Sequence, residues 1–205
     1  MGRVPDRSNG YATGRARRER LLDAAIAAFG QSGFHTATLA DIARACGISR
    51  PGLLHHFDSK EALLTAVLER RDQIDAEIFT SAIARSASPL QAIVDITISN
   101  AETKGLTELF AVLSAEATNP QHPAHDYFVA LYARLRTNLA EALEVMRAAG
   151  ELRADVSPVA LANELIALKD GFALQALLQP DALQPATALA VAIERLTGVA
   201  VSARG

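Results

Sequence analysis

The sequence predicts an all-α protein, in which a small N-terminal helical bundle precedes a larger C-terminal one. Half of the 205 residues are hydrophobic, yet only 5% are aromatic and Trp is absent, a composition that favours helix-on-helix packing over a β-sandwich. Apolar residues recur at spacings of three and four in successive segments, which is typical of amphipathic helices. Alternation with a period of two never lasts long enough to predict a strand.

The N-terminal region divides into an arm and four helical segments. Residues 1–14 mix Pro, Gly, Asn and Arg without periodicity, so we predict a mobile arm. A helix with one apolar face follows from about residue 15, and Gly33 is its predicted C-terminal stop. Thr38, Ser49 and Ser59 each precede an apolar-periodic segment and are the predicted N-caps of the next three helices.

Two of these helices are short and meet at a tight turn. Gly47 provides the turn, and the arrangement predicts a helix-turn-helix motif over residues 38–57. Apolar inner positions hold the second helix in place, so its outer face is free to enter the major groove of DNA. Residues 1–60 carry nine basic and five acidic residues, a net charge of +4, whereas the remainder has a net charge of −7. This asymmetry indicates a polyanionic partner for the N-terminal part alone.

The remainder of the chain reads as five more helices separated by Pro or Gly. Their predicted bounds are 89–103, 106–118, 124–149, 157–178 and 186–201.

A family resemblance covers about residues 15–70, a third of the chain. The stretch GFHTATLADIARACGISRPGLLHHFDSKEALLTAVL contains G-F-x-x-x-T, D-I-A-x-x-x-G-I-S, H-F and S-K-E in order, and it resembles the N-terminal domain of the TetR family of bacterial transcriptional regulators. The resemblance implies a DNA-binding domain over 15–60 and a C-terminal regulatory and dimerisation domain over 61–205. It also implies a homodimer that binds a palindromic operator in double-stranded DNA.

The resemblance further implies which residues meet DNA. Thr38 and Lys60 would contact phosphates, Arg50 and His55 would read base edges, and Gly52 would allow the backbone to approach closely. The full predicted set is Thr38, Ser49, Arg50, Pro51, Gly52, His55, His56 and Lys60.

One position departs from the family pattern. Leu54 stands where the family usually has a Tyr that contacts a phosphate, so a neighbour such as His55 or His56 would have to supply that contact. Arg15, Arg17 and Arg18 in the first helix either form a solvated face or lie along the DNA backbone.

The adjacent histidines allow three interpretations: a metal site, an ordinary surface or a DNA contact. Neighbouring residues point about 100° apart on a helix, so His55 and His56 cannot chelate one ion together, and DNA contact is the favoured reading. The single cysteine, Cys46, is expected to be a small buried hydrophobe, since no basic residue is placed to activate it as a redox sensor.

Polar residues on apolar helix faces predict a ligand pocket in the C-terminal bundle. Lys169 lies in the middle of a broad apolar face, where it is either paired in a salt bridge, snorkels at a dimer seam, or neutralises an anionic ligand. The Thr97 hydroxyl is expected to bond its own helix backbone. The pocket candidates are Thr97, Asn100, Phe110, Glu116, Phe128, Tyr132 and Lys169.

Two wide apolar faces at the C-terminal end of the chain predict a four-helix dimer seam. The candidates for this seam are Leu165, Phe172, Leu189, Ile193 and Leu196.

The sequence thus predicts a ligand-responsive, DNA-binding repressor in the cytoplasm, without a cofactor or metal and without a membrane span. No nucleophile elbow or phosphate loop favours an enzyme. The alternative is a DNA-binding regulator without a small-molecule effector, which acts constitutively or under the control of a protein partner; a fully packed C-terminal core would favour it.

Overall fold

The computed structural model describes residues 7–85, 88–102 and 105–203, with side chains from residue 16 onward. All of the regular structure in these ranges is helical, as the sequence predicts. The helices are α1 (Arg7–Thr36), α2 (Leu39–Ala45), α3 (Arg50–Leu54), α4 (Lys60–Ala84), α5 (Pro89–Glu102), α6 (Leu106–Glu116), α7 (His125–Ala148), α8 (Pro158–Leu178) and α9 (Pro185–Thr197). None of these helices combines the length and the apolar character that a membrane crossing requires.

Helix α1 begins earlier than the sequence suggests. It starts at Arg7, so residues 7–14 of the predicted mobile arm are helical, and residues 1–6 lie outside the described residues. No proline occurs between positions 7 and 36, so nothing in that stretch removes a backbone donor from the helix. Gly33 interrupts α1 as predicted, because its φ of 74° and ψ of 172° are not helical.

The three predicted N-caps are confirmed. The side-chain oxygens of Thr38, Ser49 and Ser59 accept hydrogen bonds from backbone N–H groups three residues on, at 3.1, 3.2 and 3.0 Å. Gly47 adopts a φ of 67°, which gives the tight turn between α2 and α3.

Two hydrophobic cores hold the helices together. The first contains residues of helices α1, α2, α3, α4 and α6 and of the beginning of α7. Leu21, Leu64 and Leu113 are among its buried residues. The second joins α5, the later part of α7, α8 and α9, through residues such as Leu143 and Leu165. The first core therefore continues across the domain boundary predicted near residue 60, since α4 and α6 belong to it.

Helix α6 packs closely on α1. A Cβ atom at Gly30 of α1 would lie 3.1 Å from the backbone nitrogen of Leu109 and 3.2 Å from the carbonyl oxygen of Gly105, so glycine allows the two backbones to approach. This packing fixes α6 between the helix-turn-helix and the C-terminal helices.

Candidate DNA-binding surface and ligand cavity

Helix α3 presents a polar outer face to solvent. Leu53 and Phe57 are buried beneath it at 0% and 5% exposure, as the 3–4 spacing predicts. Arg50, Pro51 and His55 are exposed on the other side. Because Ser49 caps the helix through the N–H of Gly52, its hydroxyl lies at the same exposed N-terminus.

The structure brings four residues of the DNA-binding region together. Thr38, Arg50, Leu54 and Lys60 line one surface concavity of about 610 Å³. The Thr38 hydroxyl donates to Asp41 at 2.5 Å, and this hydrogen bond, ahead of the contact with Arg44, lowers the pKa of that carboxyl group. Leu54 is half-buried in the wall of the concavity, where it supplies no donor.

Lys60 is held by the end of α1. Its ammonium group donates to the carbonyl oxygen of His35 at 3.2 Å and lies 4.5 Å from the centre of the Phe34 ring. An ammonium group has three N–H donors, so Lys60 keeps the capacity to meet a phosphate as well.

Gly52 has space around it within the protein. A Cβ atom there would make ordinary contacts, of which the nearest is 3.4 Å from the Ser49 hydroxyl oxygen. The fold itself therefore does not require glycine at this position.

The remaining N-terminal candidates lie around this surface. The rings of His55 and His56 are 6.0 Å apart, and no cluster suited to a metal ion occurs among the described residues. Arg17 is exposed, while the guanidinium of Arg18 lies 5.0 Å from the Phe57 ring. The Arg15 side chain lies outside the described ones.

Cys46 lies against α1, where its thiol contacts the carbonyl oxygen of Arg20 at 3.4 Å. Burial raises the pKa of this thiol, which keeps it protonated and agrees with its interpretation as a packing residue.

A cavity of about 1040 Å³ opens in the C-terminal half of the molecule. Five of the seven predicted pocket residues line it: Thr97, Asn100, Phe110, Tyr132 and Lys169. The Thr97 hydroxyl also donates to the carbonyl oxygen of Ile93 at 2.8 Å, which confirms its expected bond to its own helix.

Lys169 is paired rather than free. Its ammonium group donates to Asp170 at 3.1 Å, and the other carboxylate oxygen of Asp170 accepts from the Tyr132 hydroxyl at 2.7 Å. Burial and the neighbouring Asp170 raise the pKa of Tyr132, so this hydroxyl remains a donor. Of the three interpretations of Lys169, the structure shows the salt bridge, and the Lys169–Asp170 pair lies on the cavity wall.

Arg71 on the cavity wall and its partner Asp75 were not predicted from the sequence. Arg71 is only 3% exposed; its guanidinium bonds Asp75 at 3.0 Å and lies 4.1 Å from the centre of the Phe110 ring. Both sit in the charged run ERRDQID, which reads as a solvated face. Their spacing could have indicated that they face the interior, because positions 71 and 75 continue the apolar stripe of Leu64 and Val67.

Two predicted pocket residues lie elsewhere. Glu116 points away from the cavity: its carboxylate accepts from the Phe34 N–H at 2.8 Å and lies 3.4 Å from Nε2 of His122. Phe128 is buried in the first core behind Phe110, with the two ring centres 5.4 Å apart. Each lies on an apolar helix face, and such a face does not reveal whether it borders a cavity or packed side chains.

The predicted dimer seam needs a similar correction. Leu165, Leu189 and Ile193 are fully buried in the second core of a single chain and are not available to a partner. Phe172 and Leu196 are half-buried in a groove between α8 and α9. Four large apolar residues on these helices are more than half exposed: Val159, Leu174, Leu178 and Val191. Helical spacing predicts which faces are apolar. It does not show which part of such a face is buried within the same chain.

Comparison with known families matches most of the chain. The family model described as bacterial regulatory proteins, tetR family, matches residues 21–67, and that of the BetI-type transcriptional repressor C-terminal domain matches residues 86–200. The HTH-type transcriptional regulator UidR of Escherichia coli (strain K12) is 38% identical over 76 residues, which is 37% of this chain and 35% of that protein. The chain therefore matches about a third of the length of this curated relative.

Solved structures share the fold over almost the whole chain. A transcriptional regulator from Saccharomonospora viridis in complex with choline has a TM-score of 0.75 and 22% identity, with 88% of this chain and 96% of that chain covered. A complex of SmeT, the repressor of a Stenotrophomonas maltophilia multidrug efflux pump, with triclosan has a TM-score of 0.74 and 21% identity, with 93% and 98% covered.

Proposed function

Because the chain belongs to the TetR family of bacterial regulatory proteins, we propose that it is a repressor that a small molecule releases from a palindromic DNA operator. The family consists of transcriptional regulators rather than enzymes. In this proposal the protein acts as a homodimer in the bacterial cytoplasm, where the chromosomal DNA is.

The outer face of α3 supports the DNA-binding part of the proposal. Arg50 is exposed at the start of this helix, where a guanidinium can reach guanine through two hydrogen bonds. His55 is exposed at its end. Lys60 lines the same concavity and is suited to a phosphate, and the Thr38 hydroxyl would meet a neighbouring one by exchanging its hydrogen bond to Asp41.

A structural connection between the cavity and the helix-turn-helix supports the ligand-responsive part of the proposal. Helix α6 lines the cavity with Ala111 and Ser114, and Glu116 at its end holds the N–H of Phe34 at the base of the DNA-binding motif. A ligand that shifts α6 would therefore act on the position of that motif. The cavity also counts against the alternative without an effector, which a fully packed core would have favoured.

The exposed apolar surface of α8 and α9 supports the proposed homodimer. Leu174 and Leu178 of α8 and Val191 of α9 are exposed apolar side chains that a second copy of the chain would cover. A two-fold dimer of helix-turn-helix proteins places its recognition helices roughly 34–36 Å apart, one turn of DNA, which is the reason for proposing a palindrome.

Base-reading variants test the proposal. We expect Arg50→Ala to cost about 1–3 kcal/mol of binding to the preferred operator and to relax the choice of base at one position. His55→Ala should relax the preference at another. Selection from random DNA followed by binding titration gives both quantities. Arg153→Ala is the matched control, since it removes an exposed arginine from the loop between α7 and α8. Equal sequence preference in Arg50→Ala and Arg153→Ala would contradict the proposal.

A further inference from the structure

A second, smaller cavity adjoins the large one. It measures about 260 Å³, lies between α4, α5, α7 and α8, and has Asp75 on its wall. Arg71 and Lys169 line both cavities, and Asn100 lines the larger one. The polar cluster of Arg71, Asp75, Asn100 and Lys169 thus forms the junction between the two spaces.

The hydrogen bonding at this junction is unbalanced. Among the described residues, three buried side-chain atoms have no hydrogen-bond partner, and two of them are Oδ1 of Asp75 and Oδ1 of Asn100. Both are acceptors. The hydrogen bonds of the nearby cations go to other atoms, because Arg71 bonds the other carboxylate oxygen of Asp75 and Lys169 bonds Asp170. A buried acceptor without a donor is costly, so the junction favours a group that brings N–H donors.

The two acceptors are neighbours. Burial raises the pKa of Asp75, while Arg71, Lys169 and the amide N–H of Asn100, which donates toward the carboxylate, act in the opposite direction. One donor group with two or more hydrogens can therefore meet both side chains.

We propose that this junction binds the protonated amine of a small organic ligand, whose N–H groups donate to Asp75 and Asn100 while its apolar part fills the smaller cavity. The inference rests on the proposed ligand-responsive function and specifies the chemical class of the effector. An anionic ligand would add further acceptors next to the two that lack donors, and Asp170 already neutralises Lys169.

The size and lining of the smaller cavity define the rest of the ligand. Phe79, Ile93, Ile96, Leu139 and Ile166 supply apolar walls. A cavity of roughly 150 Å³ accommodates benzene, so one of about 260 Å³ suits a phenyl ring with a short alkyl chain. We therefore choose 3-phenylpropan-1-amine as the probe.

Calorimetric titration of the full chain with four related compounds tests the donor requirement. The primary amine is compared with its trimethylammonium analogue, which keeps the charge but has no N–H, with the alcohol, and with 3-phenylpropanoate. We expect the amine to bind about tenfold or more tightly than each of the other three, since hydrogen bonds to charged groups contribute that much. Equal binding of the amine and the trimethylammonium compound, preference for the alcohol or the carboxylate, or no binding of the amine would overturn the inference.

Two variants locate the binding site. Asn100→Leu removes one acceptor and leaves the Asp75–Arg71 pair intact, and Asp75→Asn removes the charge; each should weaken amine binding about tenfold or more. Asn100→Leu keeps the result interpretable if Asp75→Asn fails to fold. Thr65→Ala is the control, because Thr65 is exposed on α4, lines neither cavity and donates to its own helix at Glu61. Equal affinities in Asn100→Leu and Thr65→Ala would place the amine elsewhere and overturn the inference.

A parallel measurement separates the inference from the function on which it rests. Operator binding is followed while each compound is added. If the amine binds at the junction but does not release DNA, the ligand class is right and the proposed release mechanism is wrong. If DNA is released by a different chemical class while the amine fails to bind, the release mechanism holds and the inference is overturned.

Discussion

Replacement of Gly33 by alanine should be among the most damaging single changes at the surface where the DNA-binding motif meets the body. The φ of 74° and ψ of 172° at this position fall in a region that is essentially restricted to glycine. A Cβ atom would also lie 2.0 Å from Oε1 of Glu116. Alanine would therefore strain the backbone and displace the carboxylate that binds the N–H of Phe34.

The expected magnitude follows from these two effects. The strained backbone costs roughly 1–3 kcal/mol, and loss of the partner of the Phe34 N–H costs about 1–3 kcal/mol more. We expect Gly33→Ala to lower the free energy of unfolding by about 2–6 kcal/mol in total. The double variant Gly33→Ala/Glu116→Ala has no carboxylate for the new Cβ atom to clash with. Each single variant loses the hydrogen bond between Glu116 and the Phe34 N–H, but the double variant can lose it only once. The double variant should therefore be less destabilised than the sum of the two single variants.

Urea denaturation of the four proteins measures these quantities by linear extrapolation. Additive effects of the two substitutions would show that the Glu116 carboxylate is not what the new methyl group meets. A Gly33→Ala protein within about 0.5 kcal/mol of the parent would refute the backbone argument as well.

Three further changes test individual contacts. Lys60→Ala should weaken binding to all DNA sequences alike and lower the salt dependence of log K by about one unit; a sequence-selective loss would contradict a phosphate contact. Gly52→Ala should fold at least as stably as the parent, because alanine is the better helix residue and its Cβ fits here. It should bind operator DNA more weakly in a titration, and unchanged DNA affinity would contradict the expected close approach to DNA. Burial lowers the pKa of His122 despite the nearby Glu116, so below about pH 6.5 the unfolded chain binds more protons and the free energy of unfolding falls as the pH falls. His122→Asn keeps an acceptor for the Ala124 N–H and should flatten this part of the pH profile; an identical profile would show that another group is responsible.

The helices were predictable because each one has local signals. The caps Thr38, Ser49 and Ser59 and the turn at Gly47 depend on neighbours within a few residues, and all four appear as expected. The start of α1 was the exception: residues 7–14 contain two glycines and no apolar stripe, yet they continue a helix that later residues establish.

The cavity was predictable only in part, because periodicity reports an apolar face and not what lies against it. Phe110 and Phe128 have the same chemical character, but one lines the cavity and the other is packed behind it. Arg71 was missed because the charges around it in ERRDQID are typical of a solvated face, whereas its partners are Asp75 on the same helix and Phe110 on α6. The same limit applies to Leu189 and Ile193, whose faces are covered by their own chain.

Helices α4 and α6 both border the cavity, and each one binds a residue of the segment that follows Gly33. Glu116 at the end of α6 binds the N–H of Phe34, and Lys60 at the start of α4 binds the carbonyl oxygen of His35. Helix α4 carries Arg71 on the cavity wall, and α6 carries Ser114. A ligand that changes the separation of α4 and α6 therefore cannot leave both hydrogen bonds unchanged. Because Lys60 is also the proposed phosphate contact, the same displacement would act directly on DNA affinity. The size of the effect is limited by how much more tightly the ligand binds the displaced conformation than the DNA-binding conformation.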